Sequence, residues 1–175
     1  MHIIYNLAKS LSKSTKAENI LAYRFLMASE FWVFVNLVLA LIMSIPAFNY
    51  YMHGTHITVA HSMGTTIGIN TSILLASITF IVQKLSKENA TTNKTIKYGF
   101  VLFNISLMVF WLSLIIGGIY KAIWVANAEN NAFSQLHESS SSVFLIFIIS
   151  GGLLFTSLLL IGLPLLKRLH AFYLE

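Results

Sequence analysis

The stretch that decides the fold reads His53-Gly54-Thr55-His56-Ile57-Thr58-Val59-Ala60-His61-Ser62-Met63-Gly64. It contains three of the six histidines in the chain, and it begins an apolar segment with no acidic or basic residue before Lys84. About 20 consecutive apolar residues of α-helix are enough to cross the hydrocarbon core of a bilayer. The segment therefore predicts a membrane-spanning helix, over roughly 57–82, that carries a histidine within the bilayer.

The rest of the chain is equally apolar. Its 175 residues are 57% hydrophobic and only 10% charged, whereas a soluble domain contains about 25% charged residues. This composition predicts an all-α integral membrane protein, with a single transmembrane helical domain over residues 1–175. We expect four spans, at roughly 21–45, 57–82, 98–123 and 143–166. Between the first two, the aromatic segment 47–52 is typical of a loop at a membrane–water interface.

Several chemistries are excluded by what the sequence lacks. There is no cysteine, which excludes disulfide bonds, thiolate metal sites and the covalent C-x-x-C-H attachment of haem. There is no aspartate and there are only six glutamates, so paired-carboxylate acid–base chemistry has few candidates. The net charge of +5 does not indicate nucleic-acid binding, because the basic residues follow the topology of a membrane protein.

The basic residues fall almost entirely on one side of the predicted spans. Ten of the eleven lysines and arginines lie in the N-terminal tail, the loop between the second and third spans, and the C-terminal end, and only Lys121 lies near the other side. Lysine- and arginine-rich segments stay in the cytoplasm. We therefore expect both termini to be cytoplasmic and the His53–His56 turn to face outward. Residues 1–19 are compatible with a short interfacial helix.

His61 and Met63 are the candidate cofactor ligands. Imidazole is the commonest axial ligand of haem iron, and a thioether is also used. Two residues correspond to about 200° of helix rotation, so the two side chains leave opposite faces and could reach two different haems. The alternatives are a core histidine that a neighbour satisfies and a methionine that fills apolar space. Gly64 and Gly68 form a G-x-x-x-G pair that would let a neighbouring helix or a flat macrocycle approach closely.

Three of the other polar residues in the predicted spans are candidates for a specific role. Glu30 is interpreted either as a snorkelling, hydrogen-bonded carboxylate or as a group for a proton path or a partner contact. Asn70 and Asn104 are expected to make hydrogen bonds between helices rather than to act as ligands.

The runs Phe48-Asn49-Tyr50-Tyr51, His53-Gly54-Thr55 and Ala60-His61 resemble the C-terminal third of the large subunit of bacterial nitric oxide reductases, which belong to the haem-copper oxidase superfamily. The resemblance implies that the four spans are similar to the last four helices of that subunit. One of those helices carries an H-x-H motif, whose first histidine ligates the high-spin haem and whose second ligates the low-spin haem. His61 matches the first position, but Met63 stands where the second histidine would be. His53, Gly54 and Thr55 match the region near the haem propionates.

The resemblance also implies what lies elsewhere. The cofactor would be haem b, high-spin and, if Met63 ligates, also low-spin. The ligands of the family's non-haem metal lie on earlier helices, so we expect that metal on a second membrane chain, with this chain one part of a split or truncated subunit and not catalytic alone. The resemblance further implies a location in the bacterial inner membrane, electrons from a cytochrome c subunit or a quinol, and the reduction of two NO to N2O. The alternatives are a fragment of an oxygen-reducing oxidase and a non-catalytic scaffold or electron-transfer cytochrome b.

Overall fold

The computed structural model describes residues 19–86, 93–127 and 133–174, all of it helical apart from short connections. The helices are α1 (Ile20–Ser44), α2 (Pro46–Met52), α3 (His56–Met63), a π-helical segment (Gly64–Thr71), α4 (Ser72–Ser86), α5 (Lys94–Ala126) and α6 (Phe133–Leu174). The interfacial helix expected within residues 1–19 lies outside the described residues apart from Asn19.

Among the described residues, four stretches are long and apolar enough to cross a membrane: Ile20–Ser44, His56–Leu85, Lys94–Ala126 and Ser140–Leu174. We call them the first to fourth spans. They confirm the all-α architecture with four transmembrane helices. The third and fourth spans continue beyond the predicted limits, since their polar ends, including the serines at 139–142, remain helical.

Residues 47–52 were expected to form a loop, and that expectation was wrong, because they belong to the short helix α2. Ile45, which precedes a proline, is extended at φ −77° and ψ 120°, as that position favours, and this ends α1. Pro46 then occupies the first turn of α2, where its fixed φ suits a helix and its missing N–H costs nothing. None of the side chains of α2 is buried.

Two apolar clusters hold the spans together. The larger one joins all four spans around fully buried Phe25, Trp32 and Phe103. The smaller one joins Ala60 to Phe110 and Leu114 of the third span. Many large apolar side chains remain exposed on the outside of the four spans, as expected of helices that face lipid or another membrane protein.

Candidate functional site

The second span begins at a tight turn that sets the position of its histidines. Gly54 has φ +70°, a backbone conformation that side chains rarely adopt. Thr55 follows as the N-cap of α3: its Oγ1 accepts a hydrogen bond from the backbone N–H of Ile57 at 3.3 Å and donates one to the carbonyl of Met52 at 2.7 Å. The helix therefore starts at a fixed residue, and His61 lies five residues into it, about 7.5 Å along the axis.

The His61 side chain is half-buried, and its ring nitrogen Nδ1 is buried without a hydrogen-bond partner in the described part of the chain. A buried polar atom with no partner costs about 1–3 kcal/mol. Few buried polar atoms in natural structures lack a hydrogen bond, and each such atom calls for an explanation, for example a bound ion or ligand.

The backbone of His61 is held by the first span. The side-chain amide of Asn36, which is buried, donates to the carbonyl oxygen of His61 at 3.0 Å and to Oγ1 of Thr65 at 2.6 Å. Thr65 Oγ1 in turn donates to the same His61 carbonyl at 3.2 Å. This network fixes the turn that carries the imidazole. Asn36 was missed by the sequence analysis, although an asparagine in an otherwise apolar span was a signal that could have found it.

Gly64 and Gly68 let the first span approach the second span closely. The group that their missing side chains admit is a helix rather than a macrocycle. A Cβ at Gly64 would lie 2.5 Å from Oδ1 of Asn36, and one at Gly68 would lie 2.5 Å from Cγ of Trp32. Both glycines belong to the π-helical segment, which begins directly after Met63. π-helical turns inside α-helices are rare and frequently occur at functional sites.

Met63 contacts a different part of the molecule. It is half-buried and packs against the smaller cluster, formed by Ala60, Phe110 and Leu114 and bordered by Phe147. Met63 thus packs against a cluster that joins the second and third spans, whereas the turn of His61 is bonded to the first span. This agrees with the rotation of about 200° that two residues give on a helix.

The turn before the second span lies against the C-terminal end of the third span. Lys121 Nζ donates to the carbonyl of Gly54 at 2.8 Å. One turn earlier, Gly118 leaves room for the start of α3, because a Cβ there would lie 2.5 Å from Cγ1 of Ile57 and 2.6 Å from its nitrogen. The turn that contains the predicted propionate residues His53, Gly54 and Thr55 is therefore bonded to a basic residue, Lys121.

The other two histidines of the turn differ from each other. His53 is exposed and lies before the helix begins, so it does not share a helical face with His56. His56 packs edge-on against Phe144, with ring centroids 5.3 Å apart, and its Nδ1 is buried without a partner among the described residues.

An apolar cavity of about 370 Å³ lies between the first and third spans. Trp111, Met52 and Ile57 are among its lining residues, and His61 is not. Within residues 19–86, 93–127 and 133–174, no group of three or more His, Cys, Asp or Glu side chains could hold a metal ion. A metal site built from side chains alone thus has no candidate in this part of the chain.

The sequence was also compared with known proteins. No curated protein and no solved structure matches the chain. The family model described as cytochrome c and quinol oxidase polypeptide I matches residues 2–160, which is most of the chain. The chain therefore belongs to this family, the haem-binding catalytic subunit I of the haem-copper oxidases.

Proposed function

We propose that this chain contributes a haem-binding part of a haem-copper oxidase complex, and that His61 is the axial ligand of its high-spin haem b. The observation that carries the proposal is the half-buried imidazole of His61, whose Nδ1 is buried without a partner in the described chain. It lies in a membrane span of a chain from a haem-binding family. An imidazole at that depth is costly unless something uses it.

The residues around His61 fit this role. Metal-binding histidines need a fixed ring orientation, which outer contacts provide. Here Asn36 and Thr65 both donate to the carbonyl of His61, so the backbone that carries the ring is held from the first span. The bound haem would supply an iron centre for the reduction of a diatomic substrate. This chain's own part would be to present the imidazole of His61 from a helical turn that the first span holds in place.

Met63 is the second candidate ligand by resemblance, for a low-spin haem. Its contacts with Ala60, Phe110 and Leu114 support a packing role more than ligation. His53, Gly54 and Thr55 are proposed to lie near the haem propionates, which the cation of Lys121, bonded to Gly54, would favour electrostatically.

The proposed reaction is the reduction of two NO to N2O, with electrons from a cytochrome c subunit or a quinol. It rests on the resemblance of His53-Gly54-Thr55 and Ala60-His61 to nitric oxide reductases. The second candidate is reduction of O2, which the family description favours because it names oxidases. In either case, a further membrane chain would provide the non-haem metal and complete the site in the bacterial inner membrane.

The test is the haem content and absorption spectrum of the complex purified from its native membrane. We expect a haem Soret band in the wild type and the loss of at least one haem per chain in His61→Ala, since no other imidazole would replace the ligand. The matched control is His170→Ala, which removes an exposed histidine near the inner end of the fourth span and should leave the spectrum unchanged.

Two results would overturn the proposal. An unchanged haem content in His61→Ala would exclude His61 as a ligand. A wild-type complex without haem would favour the scaffold alternative, and a bis-histidine spectrum from the isolated chain would favour an electron-transfer cytochrome b.

A further inference from the structure

Glu30 lies near the middle of the first span, on its outer surface. It is ten residues from the start of α1, which has 25 residues, so it lies about 15 Å along a helix about 37 Å long. Its side chain is exposed, and so are those of Met27 and Phe34, 44% and 67% exposed. These residues lie three before and four after Glu30, so the three share one helix face. We call it the Glu30 face.

The described residues offer Glu30 no partner: none of them makes a hydrogen bond or an ion pair with its carboxylate. Arg24, the nearest basic residue of the same helix, is six positions earlier, a spacing that does not bring two side chains together. A carboxylate near the bilayer centre costs about 2.5–3.5 kcal/mol by insertion scales. Lipid is therefore a poor neighbour for this face.

A second polar side chain is exposed at the same depth on the second span. Gly64 lies against Asn36, and Gly68 lies against Trp32, so the first two spans run antiparallel with residue numbers that add to 100. This register places Asn70 at the depth of Glu30. Asn70 is exposed and has no hydrogen-bond partner among the described residues. The expectation that Asn70 bonds another helix of this chain was therefore wrong, as it was for Asn104, whose amide donates to Phe100 of its own helix.

A symmetric pair of copies of this chain, joined through the Glu30 face of each, does not satisfy the carboxylate of Glu30. Ten of the eleven basic residues indicate a single orientation in the membrane. Two copies would then be related by an axis along the membrane normal, which puts equivalent residues at equal depth. Glu30 of one copy would then lie opposite Glu30 of the other. Arg24, the nearest basic residue on the same helix, would be about 9 Å away along the helix axis.

We propose that the Glu30 face binds a transmembrane helix of a different chain, and that this helix presents a basic or amide side chain at the depth of Glu30. The complementary group would satisfy the carboxylate inside the membrane, where an unpaired polar group has no water to bond. The identification of this partner as the chain that completes the haem site rests on the proposed function. The contact between the Glu30 face and a partner helix does not depend on the proposed function.

The test is site-specific photo-crosslinking in native membranes, with benzoylphenylalanine in place of Met27 or Phe34. We expect both positions to crosslink to one other membrane protein, and mass spectrometry to locate the adduct in an apolar helix that contains Arg, Lys, His, Asn or Gln within one turn. Phe155, which is 63% exposed on the fourth span, is the control position and should give lipid adducts or a different protein.

Variants of Glu30 distinguish the contribution of its carboxylate from that of the apolar side chains on the same face. Glu30→Leu should lower the adduct yield from Phe34 at least tenfold, while Glu30→Gln, which keeps hydrogen bonding, should retain most of it. Leu153→Ala, on the exposed face of the fourth span, should have no effect. Adducts with lipid alone, adducts with a second copy, or equal yields in Glu30→Leu and the wild type would each overturn the proposal.

The outcome is independent of the haem assignment. If His61→Ala keeps its full haem content while the crosslink persists, the proposed function fails and the partner surface stands. If the crosslink is absent while His61→Ala loses haem, the proposed function stands and the partner surface is excluded.

Discussion

His61 combines an unbonded buried ring nitrogen with the proposed role of haem ligand. An unpaired buried polar atom costs about 1–3 kcal/mol, and Nδ1 of His61 is such an atom within the described chain. At the same time two donors are directed at the carbonyl of His61. The carbonyl of His61 is thus bonded twice while Nδ1 of the ring is not bonded, which fits the proposed ligand role; Nδ1 of His56 is unbonded in the same way.

Met63 gives a prediction at the same scale. Met63→Leu removes the thioether but keeps an apolar side chain of similar volume against Phe110 and Leu114, a class of substitution that usually costs less than about 1.5 kcal/mol. If Met63 only packs, the absorption spectrum and the reduction potentials of the bound haems should equal those of the wild type. Loss of a low-spin haem signal in Met63→Leu would instead assign the sulfur as a ligand.

The sequence named His61 and Met63 as candidate ligands and predicted that their side chains leave opposite faces of one helix, since helix rotation depends only on spacing. The hydrogen bond from Asn36 to His61 could not be predicted from the sequence, because 25 positions separate the two residues and only the packing of two spans brings them together. The bond from Lys121 to Gly54 is of the same kind.

At the scale of the element, the π-helical segment determines how the first two spans meet. Its two buried glycines remove the side chains that would otherwise hold α1 away from the turn after His61. The G-x-x-x-G pattern predicted a close approach, and the approaching group is a helix. The π-helical geometry itself was not predicted, since no local residue pattern in Gly64–Thr71 distinguishes it from an ordinary α-helix.

Gly68→Ala tests this contact. The new Cβ would lie 2.5 Å from Cγ and 2.6 Å from Cδ2 of Trp32, a buried ring that cannot move aside cheaply. We expect the free energy of unfolding, measured by denaturant titration in detergent, to fall by about 1–3 kcal/mol. Gly152→Ala is the matched control, because nothing lies within 4 Å of its Cβ, and there the higher helix propensity of alanine should stabilise by about 0.5–1 kcal/mol. Equal effects of the two substitutions would contradict the close approach.

Asn36→Leu tests the polar link between the same two spans. Leucine is nearly isosteric with asparagine but loses the bonds to His61 and Thr65. Hydrogen bonds between membrane helices contribute about 0.6–1.7 kcal/mol each, so we expect a loss of that order in the same titration. Leu41→Ala, at a position 60% exposed, should change the free energy of unfolding by less. A variant as stable as the wild type would show that the network contributes nothing to stability.

At the scale of the whole molecule, the four spans follow from apolarity alone. Runs of about 20 apolar residues have few alternatives to a transmembrane helix, so their number and approximate limits were predictable. Their mutual arrangement was not predictable, because all four spans carry large apolar side chains both in the core and on the exposed surface, so apolarity does not indicate which face meets which neighbour. The exposed carboxylate of Glu30 is the basis for the proposal that another transmembrane helix packs against these four spans.

The orientation in the membrane can be tested directly, because the chain contains no cysteine. The distribution of basic residues predicts that Tyr50→Cys, at a position 77% exposed in α2, reacts with a membrane-impermeant maleimide added to intact spheroplasts. Tyr173→Cys, at a position 76% exposed, should react only after permeabilisation. Labelling in the opposite order would contradict the predicted topology.

The central claim, that the imidazole of His61 ligates haem iron, is tested most directly by His61→Gly with added imidazole. The account predicts that His61→Gly loses the Soret band and the haem of the wild-type complex, and that millimolar imidazole supplied during haem loading restores both, because the free ring takes the place of the missing side chain. A His61→Gly complex that keeps its haem and spectrum without imidazole would contradict the account.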